Sequence, residues 1–206
     1  MDCWIIVFYM KEKSEIIVIA QEIFKRYGYK KTTLKDIGEA VGLDKTSLYH
    51  YFKNKEDLFI EVLLLNFQRY KDQFTTISQP LSVQEQVYLF FEYHLKFFLK
   101  NSLFSHLISL DFKLLSKNIL SRIVEVREFE YQFFSNLIEE GISNGEIRNL
   151  NTKQIVTTFF HLLEGLKRNI TSNRLILKEE PDLKLILADI RSSIALFFTG
   201  IKKLNK

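Results

Sequence analysis

The 206 residues are 47% hydrophobic and 26% charged, enough to bury a core as one large domain or a small domain beside a larger one. Seven Gly and two Pro supply too few turn signals for a many-stranded protein, so the expected class is all-α. The net charge of +4 is modest, and one cysteine, Cys3, excludes an intramolecular disulfide framework and suits a reducing cytoplasm.

The chain opens with seven consecutive apolar residues, Trp4 to Met10, preceded by Asp2 and by no basic residue. That stretch lacks the positive flank and small-residue cleavage site of a secretory signal, and it is too short to cross a membrane. No membrane partner is expected. Met10 directly precedes a regular helical pattern, which makes it an alternative start for translation.

From Lys11 to Tyr27, Ile16, Ile19, Ala20, Ile23, Phe24 and Tyr27 recur at spacings of three and four, the signature of one helix face. Gly28 supplies the stop. Thr33 is placed to cap a second, short helix carrying Leu34, Ile37 and Val41, with Asp36 three residues on as an imperfect capping box. Gly38 permits close approach of a neighbouring helix. Gly42 breaks this helix, and Asp44 caps the next, Lys45 to Tyr51, with Leu48 and Phe52 turned inward. Asn54 caps a longer connecting helix that extends to about Thr75, with Glu56 and Asp57 favourable to its dipole. Pro80 marks the following break.

Two short amphipathic helices joined by a four-residue turn predict a helix-turn-helix that presents its second helix to a nucleic-acid groove. The charge agrees. Between Lys25 and Lys55 there are eight Lys or Arg and three acids, so this segment carries +5 and the rest of the chain −1. Such clustering is the footprint of a phosphate-binding surface. Side chains at the start of a recognition helix reach base edges, which nominates Lys45, Thr46 and Ser47, with Tyr49 and His50 able to reach the groove wall or phosphates. Thr33 and Lys55 stand at the first turns of two other helices, where backbone N–H groups already favour phosphate. Thr32 and Lys35 complete the candidate DNA-binding set.

Beyond Pro80 the pattern stays helical. Ser82 to Lys100 is rich in aromatic residues, and shorter and longer helices follow over Leu103 to about Leu115 and Leu120 to about Ser143, the latter ended by Gly141 and by the turn Asn144-Gly145. Asn151-Thr152 opens a helix to about Ile170, and Pro181-Asp182 opens the last, giving about nine in all. In the final two, Ile155, Phe159, Leu162 and Leu166, and then Leu187, Ile190, Ile194, Phe197 and Ile201, fall at alternating spacings of four and three. These heptad-like seams, each accompanied by a second apolar row, predict an isologous four-helix dimer interface. Of the 19 Phe and 9 Tyr, Tyr88, Phe91, Phe98, Phe112, Phe129 and Phe133 are candidates to line an apolar pocket. His94, Arg127 and His161 are candidates to orient a ligand within it.

The run IAQEIFKRYGYKKTTLKDIGEAVGLDKTSLYHYFKNKEDLF closely resembles the DNA-binding domain of the TetR family of bacterial transcriptional regulators. Its marks are Tyr27-Gly28-Tyr29, Thr32-Thr33, Ile37-Gly38-Glu39-Ala40-Val41-Gly42, Ser47-Leu48-Tyr49-His50-Tyr51-Phe52 and Asn54-Lys55-Glu56-Asp57-Leu58. The turn from Glu140-Gly141 to Gly145-Glu146-Ile147-Arg148 is similar to the one before the penultimate helix of that family. The resemblance implies a helix-turn-helix DNA-binding domain over residues 1–58, including the N-terminal extension, and a helical ligand-binding and dimerisation domain over 59–206. It implies that Thr33 and Lys55 clamp the DNA backbone on either side of the groove. It also implies a homodimeric repressor on a palindromic operator, released by a small apolar or amphipathic effector.

An enzyme is not expected. P-loop, GxGxxG, GxSxG and HExxH patterns are absent, the four histidines (50, 94, 106 and 161) are dispersed, and no cofactor or metal is anticipated. The alternative is a DNA-binding architectural or protein-interaction factor of the same fold without an effector.

Overall fold

The computed structural model describes residues 12–74, 81–100, 115–176, 178 and 182–202. These residues form eight α-helices: α1 (Lys13–Tyr27), α2 (Leu34–Val41), α3 (Lys45–Tyr51), α4 (Lys55–Phe74), α5 (Val83–Lys100), α6 (Lys117–Ser143), α7 (Thr152–Ile176) and α8 (Leu183–Ile201). The β pairing among the described residues is one isolated antiparallel bridge between Ile147 and Lys202. The helix expected over 103–115 lies almost wholly outside the described residues. So do Phe112, His106, the Trp4–Met10 run and Pro80.

The helix starts are set by local caps. Thr33 Oγ1 accepts the Asp36 N–H at 3.2 Å and the Asp36 carboxylate accepts the Thr33 N–H at 2.7 Å, so both halves of the capping box form. Asp44 Oδ1 accepts the Ser47 N–H at 2.7 Å, and Asn54 Oδ1 accepts the Asp57 N–H at 2.9 Å. Each bond satisfies an amide that the first helical turn leaves without a partner. Gly28 and Gly42 take φ of +78° and +71°, a region that suits glycine.

One expected boundary shifts. α6 begins at Lys117 because Ser116 Oγ accepts the Ile119 N–H at 3.2 Å. It ends at Ser143, as expected, with Asn144 as its C-cap and Gly141 inside its last turn. A Cβ at Gly141 would lie 2.8 Å from Ile147 Cδ1 and 2.9 Å from Val83 Cγ2, so the residue serves close approach of the following chain and of α5.

Burial divides along α4. Leu58, Phe59, Val62, Leu63 and Phe67 join Ile16, Ala20 and Phe24 of α1, Ile37 and Val41 of α2, Leu48 of α3, and Leu115 and Ile119 beside the start of α6. Tyr70 and Phe74 join a second core built by α5, α6, α7 and α8. One rigid helix thus carries both the helix-turn-helix core and one wall of the larger core. Each fully buried Phe or Leu contributes about 1.5–3 kcal/mol of transfer free energy.

The expected dimer seam is divided by this packing. Ile155, Phe159, Ile190, Ile194 and Ile201 are at most 8% exposed within the second core and have no surface to offer a second copy. Leu166, Leu187 and Phe197 are half-buried against the same core. Of the nine seam residues only Leu162 faces outward, 46% exposed. The outward apolar positions of α8 are instead Leu185 and Leu196, 63% and 76% exposed and three turns apart.

Candidate nucleic-acid interface

α3 is a short helix with one residue driven fully inward. Leu48 is buried and Phe52, at the C-cap, is 2% exposed. Helical geometry then turns Lys45, Thr46, Tyr49 and His50 to the exterior, with Ser47 half-buried. Tyr49 is 44% exposed, and the Lys45 ammonium lies 5.7 Å from its ring centroid. The exposed edge therefore offers a cation, a hydroxyl, a phenol and an imidazole on one surface. Behind it, the backbone N–H of Ser47 bonded to Asp44 holds that carboxyl below the usual carboxylate range, keeping the cap ionised.

The flanking candidates separate by contact. Thr33 is exposed at the start of α2, and its bonds to Asp36 likewise lower the Asp36 pKa, the backbone N–H contributing most. Lys35 is exposed and lies 3.6 Å from Glu39. Thr32, expected on the DNA-facing side, is 1% exposed and its hydroxyl donates to Gly28 O at 2.8 Å, so its side chain closes the turn after α1. Lys55, expected to reach phosphate, donates to Tyr29 O at 2.9 Å and Thr32 O at 3.0 Å and lies 4.4 Å from the Tyr29 ring centroid. Lys30, Lys31 and Lys53 are exposed and extend the basic surface.

Two connections join this unit to the larger core. Neither has a local signal in the sequence, because the partners are far apart in the chain. Ser116 Oγ donates to Glu56 Oε1 at 2.7 Å, and Asn118 donates to the same oxygen at 3.3 Å. On α4, the buried Tyr70 hydroxyl meets His94 Nδ1 at 2.9 Å and donates to Glu130, while His94 Nδ1 lies 2.7 Å from Glu130 Oε1. Burial pushes the Glu130 carboxyl up, but the charge and hydrogen bond of His94 and the bond from Tyr70 outweigh it and hold the carboxyl below its ordinary value. Burial and the Glu130 charge together drive the Tyr70 phenol well up.

Among the pocket candidates, Tyr88, Phe91 and Phe98 are buried and Phe129 and Phe133 are half-buried. Phe133 lies 5.1 Å from Phe74, and Phe91 lies 5.8 Å from Phe159. His94 belongs to the buried polar cluster. Arg127 and His161, expected inside, are exposed; Arg127 sits 3.8 Å from Glu164 at the surface. An open groove of about 710 Å³ lies along the outer side of α1 and α2, lined by Val18, Ile23, Tyr27, Lys31 and Asp36 among others. It is a surface channel remote from the aromatic core. Among the described residues, no group of three or more His, Cys, Asp or Glu is placed to hold a metal ion.

The family model for bacterial regulatory proteins of the tetR family matches residues 16–62, and that for the C-terminal region of QacR-like proteins matches residues 66–186. The HTH-type transcriptional repressor KstR2 of Mycolicibacterium smegmatis is 38% identical over 73 residues, 34% of this chain and 36% of that protein. The HTH-type transcriptional regulator QacR of Staphylococcus aureus is 36% identical over 64 residues, 31% of this chain and 34% of that protein. The chain spans about a third of the length of these curated relatives. In overall fold it is similar to the Bacillus subtilis transcriptional regulator FadR, solved in complex with stearoyl-CoA. The TM-score is 0.70 at 19% identity, over 88% of this chain and 96% of that one. With one model spanning more than half of the 206 residues and the other covering the helix-turn-helix before it, the chain belongs to the TetR family of bacterial regulatory proteins.

Proposed function

We propose that this chain is a sequence-specific DNA-binding transcriptional regulator that acts as a homodimeric repressor on a palindromic operator. The observation that carries the reading is the outward edge of α3, where Lys45, Thr46, Tyr49 and His50 are exposed on a helix anchored by the buried Leu48 and Phe52. Lys45 can donate to guanine O6 and N7, and Thr46 or Tyr49 can contact a thymine methyl. Thr33 and the surrounding lysines supply backbone contacts that fix register without reading sequence.

One such helix reads only a few base pairs, so two copies related by a two-fold axis are needed for useful affinity. Leu162, Leu185 and Leu196 form the apolar surface proposed for that contact. The reader occupies residues 1–58 and the dimerising, effector-binding part 59–206, with α4 shared mechanically between them. A small apolar or amphipathic effector, held among the aromatic rings between α4 and α7, releases the DNA by binding the DNA-incompetent arrangement more tightly. Stearoyl-CoA in the FadR structure is an amphipathic ligand of that kind, bound by a relative in fold. The regulator works in the cytoplasm and carries out no catalysis. Among the described residues no helix is long and apolar enough to cross a membrane.

The test is selection of bound duplexes from a random DNA pool by the full chain. Enrichment of a palindrome with two half-sites is the expected result. Salt-sensitive binding with no sequence preference would overturn the reading in favour of an architectural protein.

A further inference from the structure

We propose that the apolar run Trp4–Met10 docks in the open groove on the outer side of α1 and α2, folding back over the helix that follows it. The docking is a property of the free chain and does not depend on the DNA-reading function above. The groove, of about 710 Å³, is walled by Val18, Ile19, Ile23 and Tyr27 of α1 and by Asp36 and Ala40 of α2. Its floor is apolar, with Ile19 and Ile23 half-buried against the first core. Its rim is apolar too, with Val18 43% and Tyr27 53% exposed. These residues make a second apolar face on α1, beside the face of Ile16, Ala20 and Phe24 that enters the core. A helix apolar on two faces calls for a cover on both.

Reach, side-chain chemistry and charge single out the occupant. The run leads into α1 through residues 11 and 12, so it is tethered to the helix that forms the groove. A helix rises about 1.5 Å per residue, which puts Val18 about 7.5 Å and Tyr27 about 21 Å along the axis from Lys13. An extended chain covers about 3.3 Å per residue, so the seven residues of the run cover about 20 Å. Folded back along α1, Trp4 comes level with Tyr27. All of the run but Met10 is β-branched or aromatic, a composition that favours an extended chain with Trp4, Ile6 and Phe8 on one side. The acids along the groove are engaged, Glu22 with Lys25 at 2.9 Å, Glu39 with Lys35 at 3.6 Å, and Asp36 in the cap of α2. Arg26 and Lys31 keep the Tyr27 end of the groove positive, and Asp2, two residues before Trp4, arrives at that end. Seated in this way, the run ties α1 to α2 from outside and braces the scaffold that presents α3.

Trp4 is the only tryptophan among the 206 residues, so its fluorescence reports on the run alone. The free full-length protein should show a blue-shifted emission maximum and severalfold weaker acrylamide quenching than N-acetyltryptophanamide. Val18→Glu combined with Ala40→Glu puts a carboxylate on each wall at exposed positions, where substitution changes stability little. In that variant emission should move to the red and quenching should rise severalfold, with the far-UV circular dichroism unchanged. Val124→Glu, at a residue 50% exposed on α6, should leave emission and quenching as in wild type. Wild-type Trp4 as accessible as N-acetyltryptophanamide overturns the proposal. A blue-shifted emission that the double variant leaves in place also overturns it, since Trp4 is then covered elsewhere. A blue shift that develops only as protein concentration rises assigns the run to a second copy and overturns it as well. If the double variant does not fold, Ala40→Glu alone carries the same measurements.

Discussion

Replacing Gly38 by alanine tests whether the α2–α3 turn is held as tightly as the structure requires. A Cβ at residue 38 would lie 2.9 Å from Leu43 O, where ordinary contacts begin near 3.4 Å, and 3.9 Å from Leu48 Cδ2. The obstructing atom is backbone, and it cannot turn away as a side chain would. Leu43 N–H donates to Gly38 O at 2.9 Å, so the two residues grip each other from both sides. Relief requires the turn to move by about half an ångström, and overpacking of this kind costs about 1–3 kcal/mol. Alanine in mid-helix returns about 1 kcal/mol of propensity. The expected net loss is thus about 0–2 kcal/mol, a fall in Tm of up to several degrees for a chain of this length. Because α3 is carried by the displaced turn, operator affinity should fall by more than the folded fraction does. Urea denaturation followed by circular dichroism gives the first quantity, and titration of the selected operator well below the transition gives the second. A Gly38→Ala variant as stable as wild type with unchanged affinity would refute the argument.

Three further outcomes follow from the larger core and its surface. The folded-state pKa of Glu130 is depressed, so its contribution to stability is present above its ordinary value of 4.5 and is lost as pH falls through the folded pKa. Glu130→Gln should cost about 2 kcal/mol near neutral pH, and its deficit against wild type should shrink below pH 4.5; a deficit independent of pH in denaturation experiments would count against an ionised buried carboxyl. Leu196→Glu, at a residue 76% exposed, should convert a dimer to a folded monomer by light scattering, whereas Ile190→Ala, at 2% exposed, should cost about 2–5 kcal/mol of stability. An intact Leu196→Glu dimer would remove α8's outer row from the interface.

The helix-turn-helix was legible in the sequence because its determinants are local. Thr33 with Asp36, Asp44 with Ser47, and Asn54 with Asp57 act across three residues, and Gly28 and Gly42 need only their own φ. The outward set on α3 follows from one inward residue, Leu48, and the helical period. What a side chain does at longer range was not legible. Thr32 and Lys55 belong to the motif by spelling, yet one is buried against Gly28 O and the other is engaged by carbonyls more than twenty residues away.

In the C-terminal half the sequence by itself determined that α7 and α8 are apolar on more than one face, and so must be covered on more than one face. Only the tertiary structure decided which row goes inside. Ile155 and Phe159 of α7, with Ile190 and Ile194 of α8, are taken into the core shared with α5 and α6, and Leu162, Leu185 and Leu196 are left outward. Periodicity fixes the angle between rows on one helix, but the rotation of that helix about its axis is settled by all its neighbours together. The Tyr70–His94–Glu130 cluster has the same origin, since three residues on three helices become partners only when those helices pack.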